Sequence, residues 1–189
     1  MAPLIALYDA CVLYPAPLRD FLMQLAMTDV HYARWTDAIH EEWISNVLAC
    51  RPDLTRAKLE RTRDLMNANV RDCVVSGYES LIPRIHLPDP NDRHVLAAAI
   101  HCGASVIVTF NTKDFPHSIL DALGIAATHP DDFVESLFHI EPSSVCLAAK
   151  RHRASLKKPP KTVNEYLECL TTQRMPKTAA RLTHVADYI

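Results

Sequence analysis

Glycine is the scarcest informative residue in this chain. Only Gly77, Gly103 and Gly124 occur in 189 residues, and no two are neighbours. A phosphate-cradling P-loop and a dinucleotide fingerprint both need clustered glycines, so both are excluded. Any phosphate chemistry must therefore run through side chains or a metal. Paired cysteines are absent too: Cys11, Cys50, Cys73, Cys102, Cys146 and Cys169 are scattered with no CxxC spacing. That pattern argues for lone thiols in a reducing compartment and against a disulfide framework or a zinc site. No apolar run is long enough to span a bilayer, and the opening MAPLIALYDAC lacks the basic stretch of an export signal. The expectation is a cytoplasmic protein with no membrane partner. His31, His40, His86, His101, His117, His129 and His139 show no metal-ligand spacing, and HEEW at 40–43 is not the HExxH of a zinc protease.

The net charge of -2 conceals two opposite halves. Residues 1–149 carry 11 Lys and Arg against 19 Asp and Glu, a balance of −8; residues 150–189 carry 9 against 3, a balance of +6. An acidic body suits a cation site and a basic tail suits a polyanion, unless the tail simply docks on its own acids. With 49% hydrophobic residues the chain can bury one sizeable core plus an appendage.

LIALYDA at 4–10 is a continuous apolar run ended by Asp9, the pattern of a buried parallel strand, beyond whose carboxyl end active groups collect. Apolar spacing predicts helices at 17–30, 35–49 and 53–69, the last with Arg56, Lys58, Arg61 and Arg63 exposed beside Glu60 and Asp64. A helix near 72–82 and a short strand at 84–87 follow. LPDPNDRHVLAAAI at 87–100 reads as a stiff proline loop, an Asn91 cap and a helix with Asp92 in its first turn. Val106–Thr109 is a second buried strand, followed by Asn111 and Asp114; a short helix at 116–123 leads to a run at 125–128 and a helix from Pro130. Strands alternating with helices predict an α/β fold, a parallel sheet with helices on both faces. Past Pro142 the chain turns helical and basic, so the expected division is an α/β domain at 1–141 and a basic helical extension at 142–189, with helices at 143–154, 162–171 and 176–188.

Asp9, Asp92 and Asp114 thus fall at one edge of the expected sheet, and Glu42 on the second helix can reach it. Carboxylates gathered without a cation raise one another's pKa values. An all-oxygen set favours Mg²⁺ or Mn²⁺ over zinc. Such an ion can polarise a phosphoryl oxygen and lower the pKa of water. A hydrogen bond from Thr109 would orient one of the acids.

LYDACVLYP with Asp9, HEEW with Glu42, DPNDRHVLAAA with Asp92 and IVTFNTKDFP with Asp114 together resemble the PIN-domain ribonucleases, particularly the VapC-type toxins of toxin–antitoxin modules. The resemblance covers about residues 4–136, and the tail, with NEYLECL and TAARL, is similar to the helical extension of one branch. It implies a PIN-like three-layer α/β/α fold and a Mg²⁺-dependent endoribonuclease, with Mn²⁺ as a substitute ion, that leaves a 5′-phosphate and a 3′-hydroxyl. It also implies an RNA substrate (tRNA, rRNA or mRNA), a neutralising antitoxin and a homodimer. Asp9, Asp92 and Asp114 would hold the metal and Glu42 would complete the catalytic set. Glu41 is the rival to Glu42, which directly precedes apolar Trp43 as the family's acid does. Asn111 stands where many members carry an acid, which leaves a second metal position open. His94 falls on a different helix face from Asp92 and reads as structural or surface. Candidate phosphate contacts are Arg56 and Arg63, then Lys150, Arg151, Arg153, Lys157 and Lys158. Tyr8, Tyr14 and Trp35 are stacking candidates that also suit a core. Two other readings remain: a housekeeping RNA-processing nuclease, and a non-catalytic module binding nucleic acid or protein.

Overall fold

In the computed structural model, which describes residues 4–189, the first apolar run forms strand β1 (Ile5–Tyr8). Ala6, Leu7 and Tyr8 have no exposed surface. Successive strand side chains point to opposite faces, so the sheet is covered on both. β1 pairs in parallel with β2 (Tyr32–Arg34) and β3 (Val106–Val108), and β3 pairs in parallel with β4 (Ala126–Thr128). The order is β2-β1-β3-β4, a wholly parallel sheet consistent with three α/β/α layers.

The sheet departs from the sequence reading in two places. β2 was not expected, because HYARW contains no apolar run, and Tyr32 and Arg34 are only half-buried on this edge strand. Conversely no strand forms at 84–87, nor a helix near 72–82. A 3₁₀ segment spans Glu79–Arg84 with Pro83 inside it, and Val74 makes an isolated parallel bridge to Trp35 beyond β2. Pro83 has no N–H to give a ladder, and Ile85 alone supplies the buried contact.

The chain forms two compact units, one comprising residues up to Tyr14 with Tyr32–His129, the other Pro15–His31 with Pro130–Ile189. The first contains the sheet, α1 (Ala10–Leu13), α3 (Asp37–Cys50), α4 (Arg56–Asn69), α5 (Arg93–Cys102) and α6 (His117–Leu120). The second contains α2 (Ala16–Ala26), α7 (Pro130–Ile140), α8 (Pro142–Ser155), α9 (Val163–Thr172) and α10 (Pro176–Thr183). Residues 141 and 142, the expected domain boundary, lie inside this second unit, where Glu141 follows α7 and Pro142 opens α8.

Within the first unit, α5 lies on β1 and β3 through buried Val95, Leu96, Ala97, Ala98 and Ala99. Small alanine side chains let the helix backbone approach the sheet closely. Gly103 ends the helix at φ 67°, a left-handed geometry that suits glycine. A buried polar network ties α3 to α4. Trp35 Nε1 donates to Asn67 Oδ1 at 2.8 Å, and Trp43 Nε1 donates to His40 Nδ1 at 2.9 Å. Indole N–H can only donate, so Nδ1 of His40 accepts and its Nε2 carries the proton that meets Asn67 Oδ1 at 3.0 Å. Burial lowers the His40 pKa and keeps it neutral. Tyr8 and Trp35 stack 6.2 Å apart inside this core and are not free to stack on a base, whereas Tyr14 is 36% exposed.

The second unit is held by charge as well as packing. Buried Asp131 on α7 caps α10 in trans: it accepts from Lys177 N and Thr178 N, each at 2.8 Å, and from Thr178 Oγ1 at 2.7 Å. These are N–H groups that a helix start leaves unpaired. Lys177 also pairs with Asp132, and Arg181 pairs with Glu135 at 2.7 Å. Part of the basic tail therefore neutralises acids of its own unit. α9 opens with a reciprocal Thr162/Glu165 capping box. α2 stops at Ala26 short of the expected 30, with Asp29 in left-handed backbone at φ 57°. All six cysteines are free thiols, as their spacing predicts.

Candidate active site

The first unit gathers acids beyond the carboxyl ends of β1 and β3. Asp9 follows β1 directly and is the N-cap of α1, so strand end and helix start fix its position together. It is 4% exposed. Oδ1 accepts from Ala10 N at 2.6 Å; Oδ2 accepts from Thr109 Oγ1 at 2.7 Å and from Cys11 Sγ at 3.1 Å. Burial raises the Asp9 pKa, the Thr109 and Cys11 hydrogen bonds oppose that rise, and the charge of Glu42 adds to it. The expected orienting role of a hydrogen bond from Thr109 to a carboxylate has its geometry here. Thr109 is fully buried, and its oxygen also accepts from Asn111 N at 3.0 Å. DAC places Cys11 two residues from Asp9, but no motif in the sequence marks its thiol as a partner of that carboxylate. Burial pushes its thiol up to about 12, so it stays protonated and can donate.

Asp92 owes its availability to the residue that caps in its place. Asp89, not Asn91, accepts from a backbone amide at the start of the 3₁₀ turn Pro90–Asp92, taking Asn91 N at 2.8 Å. A proline at N1 and an acid at the N-cap account for that turn. Asp92 then stands at the N-cap of α5 with no side-chain cap hydrogen bond, leaving both oxygens for the site. Its pKa is pushed up to about 7, first by burial and then by Asp9, Asp89, Asp114 and Glu42. That is the electrostatic mark of convergence: all three other acids predicted from the sequence act on this one carboxyl.

Asp114, half-buried, ends a 3₁₀ turn (Thr112–Asp114) that starts after β3, its N–H held by Asn111 O at 3.0 Å. Asn111 itself is exposed. On α3 the two adjacent glutamates divide. Glu41 accepts two bonds from Arg56, each 2.9 Å, and one from Ser45. Glu42 is left out of that pairing: its Oε2 lies 3.5 Å from His94 Nε2, and its charge acts on Asp9 and Asp92. Among the predicted cations, Arg56 is thus engaged by Glu41, and Arg63 by Asp64 at 2.8 Å. Arg153 donates to the carbonyls of Lys161 and Ile189 at 3.1 and 3.0 Å. Lys150, Arg151, Lys157 and Lys158 are exposed.

The donor set fits a hard divalent cation chemically: carboxylate oxygens only, in excess of local positive charge, one of them with its pKa pushed up to about 7. Among the described residues no three His, Cys, Asp or Glu side chains close on a common point as ligands. The other acids act on Asp92 through their charge.

Residues 6–113, more than half of the chain, match the description of a PIN domain. The chain belongs to the PIN-domain family. Residues 130–184 match a VapC50 C-terminal domain, beginning at the residue where the second unit resumes. Over 58 residues the chain is 50% identical to a Mycobacterium tuberculosis protein named "Putative ribonuclease VapC50". That alignment covers 31% of this chain and 34% of the relative, so it spans about a third of the relative's length. No solved structure matches. The four-stranded parallel sheet is the PIN fold expected from the sequence. Among the described residues, no helix is long and apolar enough to cross a membrane.

Proposed function

We propose that this PIN domain is a divalent-metal-dependent endoribonuclease, the toxin of a type II toxin–antitoxin pair. The observation that carries the reading is Asp92, whose carboxyl is raised to about 7 by burial and four surrounding acids. A fold that concentrates such repulsion where α/β active groups lie is built for a cation. The name of the Mycobacterium relative supports ribonuclease as the activity. Asp9, Asp92 and Asp114 would hold Mg²⁺ or Mn²⁺, with Glu42 completing the site. A bound divalent ion lowers the pKa of water and stabilises charge on a phosphoryl oxygen, the chemistry of hydrolysis to a 5′-phosphate and 3′-hydroxyl.

The chain's own groups do the positioning. Thr109 and Cys11 fix Oδ2 of Asp9 and leave little freedom in its rotamer. Arg56 holds Glu41, so that the charge of Glu42, and not that of its neighbour, acts on Asp92. Lys150, Arg151, Lys157 and Lys158 are the exposed cations that would meet RNA phosphates. An antitoxin that blocks the acids, a homodimer and a cytoplasmic location complete the proposal. The test is cleavage of tRNA and total RNA by the purified chain and by Asp92→Asn, in Mg²⁺, Mn²⁺ and chelator. Metal-dependent cuts that vanish in the variant are expected. Folded protein that cuts nothing in either metal would overturn the reading.

A further inference from the structure

Beside the acids, the first unit has an open groove of about 580 Å³ between α3 and the start of α5. Its α3 wall repeats at helical spacing: Ala38, Glu42 and Asn46 are four residues apart and share one face, with Ser45 beside them. Asn91 and His94 form the opposite wall, flanking Asp92 in sequence.

The chemistry of this groove differs from that of the acid cluster. Asn46 and Asn91 are exposed, and neither side-chain amide makes a hydrogen bond among the described residues. Ser45 spends its proton on Glu41, whose two oxygens are already taken by Arg56. The acidic charge not held by an arginine at the groove is the Glu42 carboxylate, with His94 Nε2 3.5 Å from its Oε2. A phosphate would be repelled there, whereas a neutral planar group with its own donors would not. Two unspent amides and one carboxylate offer both carbonyl and amine partners but an excess of acceptors. Side-chain amides pair best with an amine next to a ring nitrogen, and a carboxylate accepts from an exocyclic amine. RNA is read in this way where its bases are unstacked and single-stranded.

We propose that this groove is a nucleobase subsite, which takes adenine or cytosine next to the cleaved phosphodiester and disfavours uracil. Uracil has no exocyclic amine, so it offers the Asn46 and Asn91 amides no edge with an amine beside a ring-nitrogen acceptor. The assignment of RNA as the ligand rests on the ribonuclease reading, and Asn46 and Asn91 are its specificity residues. Neither supports the fold through a side-chain bond, so their removal should leave structure intact.

The test measures binding of fluorescent hexaadenylate, hexacytidylate and hexauridylate to the full chain in chelator, where nothing is cut. Wild type should bind hexaadenylate or hexacytidylate about tenfold tighter than hexauridylate. In Asn46→Ala/Asn91→Ala the difference should collapse to within about twofold, with hexauridylate binding unchanged. Equal binding of all three by wild type, no binding of any, or a preference that survives in the double variant would overturn the proposal. Cleavage in Mn²⁺ by the same proteins separates the two readings. A preference lost in the variant, with no RNA cut by either protein, supports the subsite and sinks the ribonuclease. Cutting by the variant with wild-type base selection sinks the subsite alone.

Discussion

Replacing Asp92 with Asn should stabilise the cation-free protein, and increasingly so as pH rises. The carboxyl titrates at about 7 in the fold against a reference of 3.8, so between these values the folded state holds a proton that the unfolded chain has lost. Stability then falls as pH rises through this window and levels off above the folded value. The gap of about 3 units corresponds to roughly 4 kcal/mol at about 1.4 kcal/mol per unit. Solvent reaches part of this side chain, and screening reduces the figure to about 2 kcal/mol. Asparagine keeps the shape and removes the charge. Urea denaturation in chelator should therefore show Asp92→Asn equal to wild type near about pH 4 and about 2 kcal/mol more stable near about pH 8. Adding Mg²⁺ at the higher pH should stabilise wild type and leave the variant little changed. A variant that is less stable than wild type at high pH, or a difference that does not change with pH, would refute the electrostatic argument.

Other substitutions test other parts of the structure. Thr109→Val removes the donor to Asp9 Oδ2 and should cost about 1–3 kcal/mol by denaturation. The same change should weaken Mn²⁺ binding about tenfold or more by calorimetry, because it frees the Asp9 rotamer. Asp131→Ala strips three hydrogen bonds from the start of α10 and should lower stability by roughly 2–4 kcal/mol in thermal unfolding, without touching the acids of the first unit. Asn67→Leu leaves the Trp35 indole and the His40 imidazole without their shared acceptor, and should cost about 2–3 kcal/mol.

What the sequence disclosed depended on how local the signal was. β1, β3 and α5 are continuous or strictly periodic apolar segments, and each lies where expected. The placement of Asp9 after β1 and of Asp92 at the start of α5 is legible too, because a strand end and a proline-bounded helix start are local marks of position. β2 could not be read, since its place in the sheet comes from pairing with Ile5–Leu7 and not from its own Tyr-Ala-Arg. The capping of the 3₁₀ turn goes to Asp89 because Pro90 makes the residue before it the cap, two positions earlier than Asn91. Cys11 beside Asp9, and Arg56 holding Glu41, are contacts between neighbours in space that no spacing encodes. The grouping of α2 with α7–α10 is of the same kind, a long-range packing outcome.

The most direct test of the account is cation binding itself. Calorimetric titration of Mn²⁺ into wild type and Asp92→Asn, near about pH 7 in two buffers of different ionisation enthalpy, reads affinity and proton release together. Binding by wild type with release of a fraction of a proton, lost or much weakened in Asp92→Asn, is the predicted result. Absence of binding by folded wild type, or equal binding by the variant with no proton released from either, would contradict it.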